Sequence, residues 1–267
     1  MKRLSSLEAP AVAGVVREKT AAAAIAEIRN CTYSGADMID LHLSCLDDLS
    51  VGTLKNILSS TKLPVLALNY NLMCQPFDEE ARVESMLRAV EAGAAGLDMQ
   101  GYTFDAKSKS GFYGEDRYSF TKNAPLEVVT DPAVIDRQRA LIERVHAMGA
   151  EVLLSCHPGR VMTAGQVVEL ALFLEERGPD IIKIVTRAEN EEHMAESIKA
   201  MTLLKRELKT PVSYHASGKA GMMTRIVNPL LGGQIVFCTD RFKEGSTLEQ
   251  PELRSVRTIV DTMKRIL

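Results

Sequence analysis

The chain has 267 residues, a usual length for one eight-stranded α/β barrel. Hydrophobic residues make up 46% and charged residues 25%, the composition of an ordinary globular protein with a core of normal size. The formal net charge of −3 excludes a broad basic surface that would hold nucleic acid by its phosphates.

Eight short apolar runs, each as long as a buried parallel strand, alternate with longer amphipathic stretches. They lie at 12–16, 38–43, 64–69, 95–99, 151–156, 181–185, 212–215 and 235–238. An alternation of strands and helices without a second domain predicts one (β/α)8 TIM barrel over residues 1–267. A doubly wound parallel sheet is the lesser alternative.

Capping signals mark several of the intervening helices. Asp131 precedes Pro132, a typical helix start, and a capping box of Thr163 and Gln166 opens the next helix. Asn190 caps the run that follows the sixth strand, and Pro251 is predicted to start the last helix.

A long insertion after the fourth strand, residues 100–130, breaks this rhythm. Connections in α/β units usually take about 2–6 residues, and longer ones tend to be functional lids or disordered. The segment is rich in glycine and in aromatic residues, which disordered linkers lack. We therefore expect an ordered lid or an interface segment at the catalytic end of the barrel.

The five cysteines are Cys31, Cys45, Cys74, Cys156 and Cys238. Their wide spacing and odd number favour reduced thiols over a disulfide framework or a zinc site. The first ten residues lack the apolar run of a signal peptide, and no stretch approaches the roughly 20 apolar residues of a membrane span. These features predict a cytoplasmic protein without nucleic-acid or membrane partners.

Lys183 lies inside the apolar sixth run, Ile-Ile-Lys-Ile-Val at 181–185. Burial penalises the ammonium form of a lysine and so favours the free amine that attacks a carbonyl. This pattern predicts a Schiff-base nucleophile. A lysine paired with an acid between strand and helix is the structural alternative.

Two histidines end the neighbouring strands. His157 follows the fifth strand and His215 closes the seventh. Beside Lys183, an imidazole at 157 is placed to move protons at the carbon next to an imine, with His215 as a second candidate. A histidine hydrogen-bonded near the turn at Pro158 is the alternative for His157.

Groups for an anionic substrate follow the last two strands. Arg225 lies near a helix start after the seventh strand, and arginine binds carboxylates bidentately. A loop of small residues, 245–250, follows the eighth strand. It is suited to cradling a phosphate, although Ser246 and Glu249 have the spacing of a simple capping box.

Together these segments resemble the type I 3-dehydroquinate dehydratase family. Ser-Cys-His at 155–157 resembles the family's catalytic histidine segment, and Ile-Lys-Ile at 182–184 its Schiff-base lysine. Residues 211–225 match a family segment in length, in Lys-x-Gly and in the terminal arginine. Ser246 and Gln250 match the serine and glutamine of the loop that covers the substrate.

The resemblance implies a class I aldolase-like TIM barrel that needs no cofactor and no metal. Lys183 would condense with a cyclic hydroxy-keto-acid such as 3-dehydroquinate, and His157 would move the protons of a dehydration. Arg225, Ser246 and Gln250 would hold the substrate carboxylate. The family also implies a homodimer and a place in the shikimate pathway of aromatic amino acid biosynthesis.

The N-terminal half departs from the family. The family's second strand carries Glu-x-Arg-x-Asp, whereas this chain has Asp40, His42 and Ser44. Its third strand carries an arginine that binds the substrate ring, whereas residues 69–71 are Asn-Tyr-Asn. We expect Asp40 and His42 to lie near ring hydroxyls, and such changes can redirect specificity sharply.

Three alternatives follow from the same residues. One is a Schiff-base lyase or aldolase on another hydroxylated keto-acid or a sugar phosphate, with residues 217–219 at the phosphate. A second is metal-dependent chemistry by residues at several strand ends: His42, Asp98, His157 and His215. A third is a non-catalytic relative that binds a ligand or partner through the aromatic segment.

Overall fold

The computed structural model describes residues 3–70, 78–105, 127–243 and 248–266. Eight strands occur at the positions expected from the apolar runs, with bounds that differ by a few residues. The strands are β1 (Ala11–Val16), β2 (Met38–His42), β3 (Val65–Leu68), β4 (Gly96–Gln100), β5 (Glu151–Cys156), β6 (Ile181–Arg187), β7 (Val212–Ser217) and β8 (Ile235–Cys238).

Helices separate the strands along the described chain. They are α1 (Ala21–Tyr33), α2 (Val51–Leu58), α3 (Glu79–Glu91), α4 (Pro132–Ala147), α5 (Ala164–Glu175), α6 (Glu191–Glu207), α7 (Thr224–Leu230) and α8 (Leu253–Ile266). None of these helices is long and apolar enough to cross a membrane.

The strands hydrogen-bond in the order β7-β6-β5-β4-β3-β2-β1-β8. The first and last strands of the sequence are therefore neighbours, and β1 pairs in parallel with both β2 and β8. Strand order follows the sequence without the reversal that defines a doubly wound sheet. The predicted (β/α)8 TIM barrel is confirmed.

Local signals explain most helix starts. The capping box of Thr163 and Gln166 is formed, and the Asn190 side chain accepts a hydrogen bond from the backbone N–H of His193. The last helix begins at Leu253, two residues after the expected start at Pro251. The reason is a β-bridge between Thr239 and Glu252, which holds residue 252 extended until the helix begins.

The described residues group into two compact units. The first comprises Met1–Asp98, Val145–Glu151 and Ile235–Leu267, and it contains β1, β2, β3, β8 and the start of β4. Its strands and helices pack closely: a Cβ added to Gly14 on β1 would lie 2.6 Å from the Cys31 side chain on α1. This unit carries the strand ends at which the sequence departs from the family it resembles.

The second unit comprises Met99–Arg144 and Val152–Gln234 and contains β6, β7 and all of β5 except its first residue. All three strands are buried on both faces over most of their length. This unit carries both residues that are predicted to do chemistry. The prediction of a single domain over 1–267 stays a prediction, and most of the predicted lid, residues 106–126, lies outside the described residues.

Candidate active site

Strand register aligns Lys183 with polar residues of the neighbouring strands. It lies opposite Ser155 of β5 and Ser213 of β7, while Val185 lies opposite His215. Since residues two apart on a strand face the same side, Lys183, Ser155, Ser213 and His215 share one face of the sheet. Lys183 is 8% exposed, so this lysine is buried as the sequence predicts.

His215 is a buried residue of the second unit, and three basic side chains affect its pKa. Burial lowers the pKa of His215 well below 6.5, and the nearby charges of Arg225, Lys183 and His157 lower this pKa further. All three side chains are therefore close enough for their charges to affect the His215 imidazole. Four of the sequence-predicted site residues therefore belong to this unit.

We expect His215 to make the folded protein less stable as the pH falls. Its pKa is lower in the folded than in the unfolded state, so the unfolded state binds the additional proton below about pH 6.5, the unfolded value. Above that pH, neutral His215 makes its full contribution to the free energy of unfolding. This contribution is lost as the pH falls toward the folded-state pKa. Urea unfolding at a series of pH values should show a steeper acid loss for the natural protein than for His215→Asn. Equal slopes would argue against a buried neutral His215.

A carboxylate orients the His157 ring. Glu127 Oε2 lies 2.9 Å from His157 Nδ1 and also accepts a hydrogen bond of 2.6 Å from the His157 backbone N–H. The Glu127 side chain is 6% exposed, whereas that of His157 is 26% exposed. A carboxylate on Nδ1 favours the tautomer with its proton on that nitrogen, which leaves Nε2 as the basic atom.

Sequence reasoning missed Glu127. It lies 30 residues before His157, at the end of the long insertion, and no local motif links the two. Glu127 also has a positive φ of 64°, which sequence does not reveal in a residue other than glycine. An isolated acidic residue between the buried Val128 and the apolar Leu126 was the available signal.

In the first unit, Asp40 and His42 are both buried residues of β2. His42 Nε2 lies 3.4 Å from Asp40 Oδ2 and 3.4 Å from Arg17 Nε. The second oxygen, Asp40 Oδ1, is buried and accepts no hydrogen bond from any residue that the structure describes. An unsatisfied buried carboxylate oxygen is costly and suits a bound hydroxyl donor.

A further polar pair of the first unit joins Tyr70, which follows β3, to Asp98 of β4. The Tyr70 hydroxyl donates a hydrogen bond of 3.2 Å to Asp98 Oδ2, and the Tyr70 ring meets that of His42 edge to face at 6.1 Å between centroids. Tyr70 therefore links Asp98 to His42. The sequence Asn-Tyr-Asn at 69–71 did not indicate these contacts of Tyr70.

The remaining predicted residues are placed as follows. Arg225 is half-buried in the first turn of α7, and Gln250 is buried in the segment between β8 and α8. Ser246 lies outside the described residues. Within the described ranges, no group of three or more His, Cys, Asp or Glu residues has an arrangement that could hold a metal ion.

The chain belongs to the type I 3-dehydroquinase family, whose model matches residues 12–266. A 3-dehydroquinate dehydratase of Alkaliphilus oremlandii is 31% identical over 127 residues, a match of 47% of this chain and 49% of that protein. The chain thus covers about half the length of that relative. A 3-dehydroquinate dehydratase of Klebsiella pneumoniae is 23% identical over 199 residues, 69% of this chain and 77% of that protein.

Solved structures of 3-dehydroquinate dehydratases share the fold. The 3-dehydroquinate dehydratase of Geobacillus kaustophilus superposes with a TM-score of 0.77 at 14% identity, covering 99% of this chain and 96% of that one. The type I enzyme of Clostridium difficile with covalently modified comenic acid gives a TM-score of 0.75 at 12% identity, covering 98% and 95%. At these identities the likeness establishes the TIM barrel alone.

Proposed function

We propose that this protein is a Schiff-base hydro-lyase that dehydrates 3-dehydroquinate or a closely related cyclic hydroxy-keto-acid. The observation that carries the proposal is the buried Lys183, in register with Ser155 and Ser213 and on the same face as His215, joined to membership of the type I 3-dehydroquinase family. A nucleophile, a proton carrier and a carboxylate-binding cation are the parts such a reaction needs.

The first half of the reaction forms a covalent bond to Lys183. Its free amine attacks the substrate ketone, and loss of one water gives an iminium ion. The positive nitrogen withdraws electrons from the neighbouring carbon and so acidifies the C–H bond there. This half requires a lysine that is buried but reachable, which agrees with its exposure of 8%.

The second half depends on His157. Nε2 removes the acidified proton, and the resulting enamine expels the β-hydroxyl, which leaves as water after His157 returns the proton to it. Addition of water to the iminium then releases the unsaturated ketone and restores the Lys183 amine. The net change is loss of one water from the substrate, with no oxidant or reductant required.

Glu127 supports this role of His157. With its carboxylate on Nδ1, the ring presents Nε2 to the reacting carbon and the imidazolium is stabilised after proton transfer. Arg225 is proposed to bind the substrate carboxylate. Roles for Ser246, Gln250, Asp40 and His42 in substrate binding, like the homodimer, the pathway and the cytoplasmic location, stay predictions.

A different hydroxylated keto-acid is the second candidate substrate. The observation that favours it is the cluster of Asp40, His42 and Tyr70, which stands where the family has Glu-x-Arg and a further arginine. A carboxylate oxygen without a partner among the described residues suits a hydroxyl, and arginine would suit an anion. The reaction class would be the same.

The deciding experiment is an assay of dehydration with product identification by mass spectrometry. The protein is mixed with 3-dehydroquinate, and in parallel with acyclic hydroxy-keto-acids and sugar phosphates. Formation of 3-dehydroshikimate at a rate proportional to protein concentration is the expected result. Dehydration of another keto-acid alone would replace the substrate and keep the mechanism, whereas no loss of water from any ketone would reject the proposal.

A further inference from the structure

The long insertion leaves β4 through residues whose carbonyl groups are held by one buried side chain. Gln138 of α4 is fully buried, and its Nε2 donates to the carbonyl oxygens of Gly101 (3.0 Å) and Thr103 (2.8 Å). Both donor hydrogens of the amide are thereby used. Gln138 fixes the outgoing stem of the insertion.

The returning stem is held by Arg177, which follows α5 and is 3% exposed. Its Nη2 donates to the carbonyl oxygen of Val129 (2.9 Å), and its Nη1 donates to Gln138 Oε1 (2.6 Å). The guanidinium also stacks at 5.0 Å from the Phe173 ring centroid. Arg177 and Gln138 therefore form one buried clamp that ties the two stems to each other.

Glu127 lies two residues before Val129 and is confined by further close contacts. Its carbonyl oxygen accepts a hydrogen bond of 3.3 Å from Cys156 Sγ, and a Cβ on Gly101 would approach that same oxygen to 2.4 Å. Burial raises the pKa of Cys156 well above its usual 9.0, so the thiol keeps the proton that it donates. Both stems and the end of β5 thus meet at Glu127, whose carboxylate holds His157.

Holding a loop with a buried guanidinium costs free energy, because its charge is removed from water. Burial lowers the pKa of Arg177 to about 10, a sign of the desolvation it bears. Its hydrogen-bond acceptors, an amide oxygen and a backbone carbonyl, are both neutral. An apolar side chain of similar volume would pack the same space at less cost, but it would leave the two stems unlinked.

We propose that Arg177 and Gln138 are positioning residues for the reaction: through Gly101, Thr103 and Val129 they fix the Glu127 carboxylate, and through it the orientation and tautomer of the His157 ring. Neither residue is proposed to touch the reacting atoms. The inference rests on the proposed role of His157 as the proton carrier.

The test measures the His157 ring directly, without any substrate. Protein labelled with ¹⁵N at histidine is compared by NMR for the natural chain, Arg177→Met, Gln138→Met and Glu127→Ala, with the spectrum of His157→Gln assigning the signals. Compared with Arg177→Met, the variant Arg177→Lys retains the positive charge and one hydrogen-bond-donating nitrogen. Arg257→Met is the matched control, since Arg257 also forms a hydrogen bond of 2.9 Å, to Asp37 Oδ2, at the amino-terminal end of β2.

In the natural protein we expect neutral His157 to carry its proton on Nδ1. Arg177→Met, Gln138→Met and Glu127→Ala should give a mixture of both tautomers, Arg177→Lys should recover part of the Nδ1–H form, and Arg257→Met should leave it unchanged. With a substrate that the natural protein dehydrates, Arg177→Met and Gln138→Met should lower kcat by roughly 10- to 100-fold, the loss expected when a catalytic group is misplaced. KM should change little.

An unchanged Nδ1–H signal in folded Arg177→Met and Gln138→Met protein would overturn the proposal. If Arg177→Met fails to fold, Gln138→Met and Arg177→Lys give the same comparison with smaller changes. A tautomer mixture in the variants, together with a natural protein that dehydrates no ketone, would keep the clamp and reject the proposed reaction.

Discussion

Lys183→Met removes the ability of the protein to form a reducible adduct with its substrate and lowers turnover by roughly 10⁶-fold, the scale seen for loss of a covalent nucleophile in another enzyme. Methionine has a similar length and no amine. Lys183 is buried, so an apolar replacement fits the apolar strand and removes the cost of burying an amine. The melting temperature of the variant should equal or exceed that of the natural protein, which separates lost chemistry from lost folding.

Lys205→Met is the matched control for this prediction. Lys205 lies on α6 and is exposed, so its replacement should leave both the adduct and the turnover unchanged. Measurable turnover by folded Lys183→Met protein, or an adduct that survives the change, would show that the chemistry does not pass through Lys183.

His157→Gln lowers kcat by about 10²–10⁴-fold, the usual contribution of a general acid–base group. Glutamine retains an amide that can contact Glu127 but cannot take up a proton. Because Lys183 is untouched, borohydride should still trap a substrate adduct at that lysine, so imine formation and proton transfer are separated in one variant. Trapping yield and single-turnover rates are the measurements.

His146→Gln serves as the control for the histidine variant, since His146 is an exposed residue of α4. Full kcat in this control with the expected loss in His157→Gln would support a specific role. If His157→Gln keeps more than about a tenth of the natural kcat, the loss is smaller than the usual contribution of a general acid–base group. Another residue would then move the proton. His215 would then be the first residue to test.

The barrel was predictable because its signals are local and repeated. Apolar runs of strand length, a proline at the first position of α4 and the capping box of Thr163 and Gln166 each act within a few residues. Where the boundary of a helix depends on a contact between residues distant in sequence, the prediction was less accurate. The start of α8 moved from Pro251 to Leu253 because Glu252 pairs with Thr239, which is thirteen positions earlier in the sequence.

The candidate site was predictable only in part for the same physical reason. Lys183 and His157 could be proposed from sequence because each interrupts or ends an apolar strand. The contact of Glu127 with His157 could not be found, since it spans 30 residues, and no motif indicates the positive φ of Glu127. The buried clamp of Arg177 and Gln138 joins positions 39 residues apart and was equally hidden.

The departures at the strand ends of the first unit were visible in sequence, but their contacts were not. Asp40 and His42 were expected near substrate hydroxyls. The approach of Arg17 Nε to His42 Nε2 and the hydrogen bond from Tyr70 to Asp98 depend on how β1 to β4 are brought side by side. Residue type therefore predicted the polarity of this region, and only the fold defined which groups share hydrogen bonds.

Intact-protein mass spectrometry after mixing the natural protein with 3-dehydroquinate and borohydride tests the central claim most directly. Peptide mapping then locates any modified lysine. We expect a reduced adduct on Lys183, with 3-dehydroshikimate in the sample that receives no borohydride. An adduct on a different lysine, or turnover of 3-dehydroquinate without any trapped adduct, would contradict it.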